Sequence, residues 1–195
     1  MKGSRGLIRY RAIDLTLFAL MLCVFESVLV KASTSWFPNE PYTVSVTAAI
    51  VAIVMMRWGL WAGIHAVLGG FVFCFCSKAA PRQYLIYCIG NLFSLGALGL
   101  IKLRGGESIR QDALKTWVYG LTVLLLISAG RAAVSMVMGA ELPVALGFFT
   151  TDVITALFTL VLLWIVRRLD GVFENQNHYL LRLREEQEKE RGGYR

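Results

Sequence analysis

Residues 42–76 read YTVSVTAAIVAIVMMRWGLWAGIHAVLGGFVFCFC, and this apolar stretch decides how the chain folds. A membrane-spanning helix needs about 20 mainly apolar residues, so the stretch is too long to be one straight span. Glycine commonly interrupts a helix, and Gly59 lies near the middle of the stretch. We therefore predict a tight turn at Arg57-Trp58-Gly59, which joins a short span to a longer one.

The same criterion finds apolar runs along most of the chain. Hydrophobic residues make up 56% of the sequence and charged residues only 17%, whereas soluble domains carry about 25% charged residues. The fold class that we predict is all-α, a polytopic membrane bundle of six transmembrane helices. The six predicted spans are Ala12–Lys31, Tyr42–Met56, Leu60–Cys76, Gln83–Ile101, Leu114–Met138 and Val144–Val166.

The basic residues between these spans alternate between a rich side and a poor side. Of the 20 lysines and arginines, sixteen fall on the cytoplasmic side of the predicted membrane, Arg57 and Arg110 among them. Lys31, Lys78 and Arg82 fall on the other side, and Arg131 lies within a span. Cytoplasmic loops carry the excess of Lys and Arg, so we expect a multi-pass protein of the cell membrane with both termini in the cytoplasm. The net charge of +7 then reflects topology, and no nucleic-acid partner is predicted.

The character of the chain changes after Arg168. Apolar and amide side chains then recur at a helical spacing, at Leu169, Phe173, Gln176, Leu180 and Leu183. This pattern predicts a C-terminal cytoplasmic amphipathic helix that continues from the last span and becomes strongly charged. We therefore divide the chain into a transmembrane domain, residues 1–168, and a cytoplasmic helical tail, residues 169–195. A solvated tail and a surface for lipid headgroups or a partner protein both fit this pattern.

Three of the ionisable side chains in the predicted spans fall toward the outer side of the membrane. Arg131 lies among small residues in the fifth span, Asp152 near the start of the sixth, and Glu26 in the outer third of the first. Such a residue costs about 2.5–3.5 kcal/mol at the centre of a span, which indicates a paired or a functional role. Because the loop between the fifth and sixth spans is short, we expect all three at a similar outer depth. Either Arg131 pairs with Asp152 or Glu26 and locks the bundle, or the three line an outward pocket for a polar solute.

Further polar and aromatic side chains fall at the same outer level. Trp36 and Asn39 lie in the first outer loop, and Tyr84, Tyr87 and Asn91 share one face of the fourth span. Aromatic residues at this level commonly anchor a helix at the membrane interface, but the face shared with Asn91 favours a pocket. The candidate substrate-binding residues are therefore Glu26, Trp36, Tyr84, Tyr87, Asn91, Arg131 and Asp152.

Sequence motifs for catalysis and for cofactors are absent. The chain contains no Walker motif, nucleophile elbow or dinucleotide fingerprint, so we predict no enzyme activity and no cofactor. The spacing of the four cysteines fits no zinc site, and His65 is the one histidine within a predicted span, so no metal site is predicted. Asp14 lies near Arg11 at the start of the first span. An acidic residue is favourable at a helix N-terminus, so Asp14 needs no functional explanation.

The predicted turn and the glycines that follow it resemble a known family. Arg57-Trp58-Gly59-Leu60-Trp61-Ala62-Gly63, followed by Gly69-Gly70, resembles the corresponding turn and glycine-rich helix of S components. These are the substrate-binding membrane subunits of energy-coupling factor (ECF) transporters, and the resemblance covers residues 10–168 in architecture. It implies an outward-facing site for a vitamin or a similar scarce micronutrient. That site is formed by the first outer loop and the outer ends of spans four to six, where Trp36, Asn91, Arg131 and Asp152 fall.

The resemblance also implies partners. S components dock, partly through small residues on the first helix, against a transmembrane T component that carries two ATPases. The residues at that place in this chain are Ala12, Thr16, Ala19 and Cys23, which stand where the family has an Ala-x-x-x-Ala pattern. Small side chains let helices approach closely in lipid, so packing within the bundle is the alternative role of this stripe.

Three functions are compatible with these observations. The leading expectation is a solute-binding subunit of a micronutrient importer, driven by ATPases on other chains. The alternative is a non-catalytic membrane assembly or scaffold subunit that acts through its cytoplasmic tail. A membrane enzyme acting on a lipid or isoprenoid comes third, because no acid–base or metal constellation falls near the inner interface.

Overall fold

The computed structural model describes residues 2–36 and 44–192, and within these ranges the chain is helical and has no strand. The all-α class predicted from the sequence is therefore confirmed for the described residues. The helices are α1 (Lys2–Trp36), α2 (Thr47–Trp58), α3 (Ala62–Cys76), α4 (Pro81–Leu92), α5 (Leu98–Arg104), α6 (Gly106–Gln111), α7 (Ala113–Val137), α8 (Leu142–Thr150), α9 (Val153–Val166) and α10 (Gln176–Gly192).

Several helical stretches are long and apolar enough to cross a membrane. Among the described residues there are five of them: Leu7–Trp36, Thr47–Cys76, Pro81–Arg104, Ala113–Val137 and Leu142–Val166. They support a membrane-embedded protein. The count differs from the six predicted spans because the predicted second and third spans fall within one helical stretch, Thr47–Cys76.

The chain reverses direction inside that stretch. A 3₁₀ turn, Gly59–Trp61, separates α2 from α3, and Gly59 has a φ of +62°, a conformation that favours glycine. A Cβ atom added to Gly69 would overlap the side chain of Thr47, so the start of α2 lies beside the second half of α3. The two helices form an antiparallel hairpin, as the predicted tight turn requires.

Helix α2 forms the centre of the bundle. All 12 of its residues are buried, and it packs against α1, α3, α7 and α9. The outside of the bundle is apolar by contrast, because large hydrophobic side chains project from the surrounding helices. Examples that are exposed are Leu17, Val24, Phe75, Leu157 and Val161. An exposed apolar surface around a buried interior of this kind is what a lipid environment accommodates.

Glycines allow three of the helices to approach closely. A Cβ on Gly70 would lie 2.8 Å from the backbone of Tyr87, which brings α3 onto α4. A Cβ on Gly90 would lie 2.7 Å from the backbone of Arg131, and one on Gly130 would overlap the Gly90 carbonyl, which brings α4 onto α7. These contacts place the backbone of Arg131 directly against α4.

Besides Thr47–Cys76, two more of the long stretches are interrupted rather than continuous. The stretch that begins with α4 passes through a 3₁₀ segment, Phe93–Ala97, before α5. The last stretch is broken at Thr151 and Asp152, between α8 and α9. The sequence predicted an unbroken span at each place, and both breaks lie beside polar side chains that sit inside the bundle.

The segment after α9 turns back onto the bundle. Helix α9 ends at Val166, and the chain passes through turns, with Gly171 at a φ of +70°, before α10 begins at Gln176. The prediction that a helix continues directly from the last span is therefore wrong, although a separate helix, α10, follows from Gln176. Phe173 is fully buried, with its ring 6.2 Å from that of Tyr119, because the turn directs it inward.

A buried arginine, Arg57, holds this segment in place. Its Nε and Nη2 atoms each donate a hydrogen bond of 2.8 Å to the carboxylate of Asp14. Its Nη1 atom donates to the carbonyl oxygens of Gly171 and Val172, at 2.6 and 2.9 Å. Trp58 Nε1 donates to the same Asp14 carboxylate at 2.6 Å. We call this group of five residues the Arg57 clamp.

The clamp corrects two interpretations drawn from the sequence. Asp14 lies in the interior of the long helix α1, and its partners are Arg57 and Trp58 instead of a helix N-terminus. Arg57 was counted among the basic residues of cytoplasmic loops, but it is only 5% exposed. It therefore acts as an internal hydrogen-bond donor as well as a charge near the end of the bundle.

Arg110 adds a more exposed ion-pair network at the same end of the bundle. Its guanidinium lies 3.3 Å from the carboxylates of Glu107 and Asp170 and 3.5 Å from that of Glu174. Burial lowers the pKa of the Arg110 guanidinium, but these carboxylates outweigh the effect and hold that pKa above its ordinary value. The segment after α9 is thus held by two arginines from different parts of the chain.

Candidate functional site

The main candidate site surrounds Arg131, which α7 carries into the bundle at the end opposite the Arg57 clamp. Arg131 Nη1 donates to Asp152 Oδ2 at 3.0 Å, and Arg131 Nε donates to Asn91 Oδ1 at 2.9 Å. The three residues are 6%, 8% and 0% exposed in the order Arg131, Asp152, Asn91. Of the two pairings predicted for Arg131, the structure therefore forms the one with Asp152.

Asn91 joins three helices through one side-chain amide. Its Oδ1 accepts from Arg131 on α7, and its Nδ2 donates to the carbonyl of Ala66 on α3 at 3.0 Å. Its own backbone carbonyl accepts a 2.6 Å hydrogen bond from Ser94 Oγ, in the 3₁₀ segment after α4. The interruption of this helix and the polar contact with Arg131 are thus parts of one local arrangement.

An aromatic wall covers one face of the Arg131 guanidinium. Its Cζ atom lies 4.4 Å from the ring centroid of Tyr87, within the range of a cation–π interaction. The Tyr87 ring stacks on Phe73 at 4.8 Å and meets Phe148 edge-on at 6.0 Å. Residues from α3, α4 and α8 therefore surround this charge with aromatic surface.

Glu26 lies near Arg131, at the N-terminus of α2. Its Oε2 atom accepts hydrogen bonds from the backbone N–H groups of Val46 and Thr47, at 2.9 and 3.2 Å. Glu26 is fully buried, and its charge lies within electrostatic reach of Arg131. Among the described residues, Glu26 Oε1 and Thr47 Oγ1 are buried and have no hydrogen-bond partner.

Helix α9 connects Glu26 to the ion pair. Ser45 N–H donates to Thr155 Oγ1 at 3.1 Å, and Ser45 Oγ accepts from Thr47 N–H at the same distance. Thr155 follows Asp152 by one turn, so the start of α2 and the Arg131–Asp152 pair adjoin the same stretch of α9. We call Glu26, Tyr87, Asn91, Arg131 and Asp152 the Arg131 cluster.

The other predicted substrate-binding residues lie elsewhere. Tyr84 packs edge-on against Phe71, with ring centroids 5.6 Å apart, and Phe71 is itself exposed on the outer surface of α3. Trp36 is 75% exposed at the end of α1. Asn39, predicted in the first outer loop, lies outside the described residues. The structure therefore brings five of the seven predicted side chains together and leaves Trp36 and Tyr84 apart from them.

The predicted docking stripe borders a groove between α1 and α3. Ala12 and Thr16 are exposed, and Ala19 and Cys23 are partly buried. The groove has a volume of about 400 Å³ and is lined by Ala12, Thr16 and Ala19 together with side chains of α3. Small residues on this face of α1 thus leave a concave surface at the outside of the bundle.

The sequence did not single out the hydroxyl residues that support the Arg131 cluster. Ser45, Thr47 and Thr155 are common residue types in apolar helices, and nothing in their spacing marks them. The four cysteines are free thiols. In residues 2–36 and 44–192, no group of three or more His, Cys, Asp and Glu side chains is arranged to hold a metal ion.

Comparison of the chain with models of protein families, with curated proteins and with solved structures gave no match. The class that the fold defines is an all-α membrane-embedded bundle. Within that class, its particular features are a central buried helix and an ion pair enclosed where helices are interrupted.

Proposed function

We propose that this chain is the substrate-binding S component of an ECF-type importer and binds a small micronutrient at the Arg131 cluster. The observation that carries the proposal is the buried Arg131–Asp152 pair beside Glu26, whose carboxylate is only half hydrogen-bonded. Charged side chains within a membrane commonly mark a solute pathway. Interrupted helices commonly supply the binding groups of transporters, and here Asn91 and Asp152 both lie at interruptions.

The proposed topology has six crossings and both termini in the cytoplasm. Its support is the division of basic residues into groups of sixteen and three along the sequence. Arg57 and Arg110 from the larger group both contact the segment after α9. Arg82 from the smaller group hydrogen-bonds the carbonyl of Met138, at the far end of α7. In this topology α2 is a short, fully enclosed crossing, and the Arg131 cluster faces the outside of the cell.

The proposal also includes partner subunits that supply the energy for import. The sequence has no motif for ATP hydrolysis, so energy would come from a T component and its ATPases on separate chains. The groove beside Ala12, Thr16 and Ala19 offers a T-component helix the close approach that small residues permit in lipid.

The second candidate is a scaffold subunit that acts through its tail. The observation that favours it is the Arg57 clamp, which fixes the segment leading into the highly charged helix α10. This candidate predicts that removal of residues 177–195, which leaves the clamp and Gln176 intact, abolishes function. The importer proposal predicts that solute binding survives this truncation.

The test is native mass spectrometry of the intact protein purified in detergent from cells grown in rich medium. We expect one small molecule bound per chain. Tyr87→Leu should bind it about 10-fold more weakly, because it removes the cation–π contact, worth about 2 kcal/mol when desolvated, that fixes the Arg131 guanidinium in the site. Tyr84→Leu is the matched control, since Tyr84 lies on the same helix but packs on Phe71.

Two outcomes would contradict the proposal. One is a wild-type protein that carries no small molecule, together with uptake that is unchanged in an Arg131→Ala, Asp152→Ala double variant. The other is a bound molecule that Tyr87→Leu retains and Tyr84→Leu loses.

A further inference from the structure

The carboxylate of Glu26 is hydrogen-bonded on one side only. Its Oε2 atom accepts from two backbone N–H groups at the start of α2, while Oε1 has no partner although the side chain is fully buried. A buried carboxylate oxygen without a donor is costly, and proteins rarely leave one so. The hydroxyl oxygen of Thr47 lies at the same helix start and is also buried and unpaired.

Among the described residues, Glu26 has no ion-pair partner of its own. Within the described residues, the charged side chains buried at this end of the bundle are Glu26, Arg131 and Asp152. Arg131 and Asp152 form an ion pair at 3.0 Å and neutralise each other. The carboxyl group of Glu26 faces the N-terminus of α2 and lies beside the hydroxyls of Ser45 and Thr47, and none of these groups carries a full positive charge.

We infer that the solute bound by this protein carries a cationic or N–H-donating group, which hydrogen-bonds to Glu26 Oε1 and Thr47 Oγ1. This inference rests on the proposed function, because it assigns the substrate class of the same site. A protonated amine, amidine or aromatic ring N–H supplies both the positive charge and the donors that the site lacks.

The contacts of Arg131 favour one of two groups that the solute could present. In the sequence, Arg131 indicates an anionic group on the solute, and Asp152 indicates a donor such as an amine or a ring N–H. In the structure, Asp152, Asn91 and the Tyr87 ring already engage Arg131. A purely anionic solute would have to displace Asp152 and would meet the carboxyl group of Glu26.

The Glu26→Gln variant tests the role of Oε1, the carboxylate oxygen of Glu26 that has no hydrogen-bond partner. The amide oxygen of glutamine can still accept the N–H groups of Val46 and Thr47, so the start of α2 keeps its partner. The amide nitrogen then occupies the place of Oε1 and presents donors instead of an acceptor. The matched control is Glu141→Gln, which removes the same charge from an exposed position before α8.

The experiment measures solute binding by the intact purified protein. Native mass spectrometry identifies the molecule that co-purifies from rich medium. A thermal-shift assay then compares two cationic probes, thiamine and pyridoxamine, with two anionic probes that contain no nitrogen, lipoate and ascorbate. We expect a molecule or a probe with a basic or N–H-donating nitrogen, bound about 10- to 100-fold more weakly by Glu26→Gln and unchanged by Glu141→Gln.

Two results would overturn the inference and leave the proposed function standing. One is a stoichiometric molecule that has neither a basic nitrogen nor an N–H donor. The other is equal affinity of the wild-type protein and Glu26→Gln, which would make Glu26 a cap for α2 alone. If no molecule co-purifies and no probe raises the melting temperature of the wild-type protein, both the inference and the proposed function fail.

Discussion

Two buried arginines, Arg57 and Arg131, each pair with an aspartate at opposite ends of the same bundle, and their surroundings differ. At Arg57, three guanidinium nitrogens donate to fixed protein groups, and Asp14 receives a further hydrogen bond from Trp58. Among the described residues, no buried atom of Arg57 or Asp14 lacks a partner. The Arg57 clamp is a complete network.

The Arg131 cluster is built from the same residue types but is incomplete. The ion pair is formed, yet a carboxylate oxygen of Glu26 and the hydroxyl of Thr47 remain unpaired beside it. Burying a charge is favourable only when every group around it is satisfied. A buried charge pair is therefore not by itself a ligand-binding site. A completed pair holds the fold together, whereas an unsatisfied neighbour points to a ligand.

The largest effect should come from opening the complete network. Arg57→Ala leaves Asp14 buried without its charge partner and frees the carbonyls of Gly171 and Val172. We expect a loss of about 3–5 kcal/mol in the free energy of unfolding in detergent, with solute binding per folded molecule unchanged. Arg168→Ala, an exposed arginine at the same end, is the control. An Arg57→Ala protein that is fully stable but cannot bind solute would contradict the conclusion that the Arg57 clamp stabilises the fold and takes no part in binding.

The second effect tests the incomplete network. Arg131→Ala combined with Asp152→Ala removes both charges, so neither is left buried alone. We expect a smaller loss of unfolding free energy than the about 3–5 kcal/mol expected for Arg131→Ala or Asp152→Ala alone, because the double variant leaves no buried charge without its partner. Solute binding, measured by titration, should fall below detection. Retained binding in a folded double variant would mean that the Arg131 cluster is a second structural clamp.

The third effect probes how precisely α4 holds Arg131. Gly90→Ala places a Cβ 2.7 Å from the backbone of Arg131, and we expect the overpacking to cost about 1–3 kcal/mol. Gly99→Ala, with no atom within 4 Å of the added Cβ, is the matched control and should be neutral or slightly stabilising. Thermal unfolding and affinity are measured on both. Equal behaviour of the two variants would show that α4 does not position Arg131.

The smallest effect concerns the link through α9. Thr155→Val removes the hydroxyl that accepts from Ser45 N–H, and we expect a loss of about 0.5–1.5 kcal/mol in stability together with weaker solute binding. Thr122→Val is the control, because its hydroxyl is exposed and bonds only within α7. If Thr155→Val lowers stability and leaves affinity unchanged, the hydroxyl supports the fold alone.

The parts of the molecule that the sequence predicted are those set by length, composition and local geometry. The turn at Gly59 followed from an apolar stretch too long for one span and a residue that tolerates a positive φ. The proximity of Arg131 and Asp152 followed from a short loop between two antiparallel helices. Both predictions depend on residues that lie close together in the sequence, and a single sequence is enough to show such residues.

The parts that could not be predicted depend on contacts between distant residues. Asp14 and Arg57 are 43 positions apart, and in the sequence Arg57 looks like an ordinary basic residue of a loop. Nothing in the sequence therefore indicates that Asp14 is its partner. The tail was misread for a similar reason. Apolar residues from Leu169 to Leu183 keep a helical spacing, but the Arg57 hydrogen bonds to Gly171 and Val172 favour a turn there instead.

The short central helix has a consequence for how the protein enters the membrane. Twelve residues of α2 extend roughly 18 Å, well below the about 30 Å of hydrocarbon that a span must cross. In the proposed topology, α2 therefore cannot be released into lipid by itself during synthesis. We expect α2 and α3 to be inserted together as a hairpin, after α1 is present to receive Arg57 at Asp14. If the proposed topology holds, the length of α2 therefore favours an order of integration in which α1 precedes the α2–α3 hairpin.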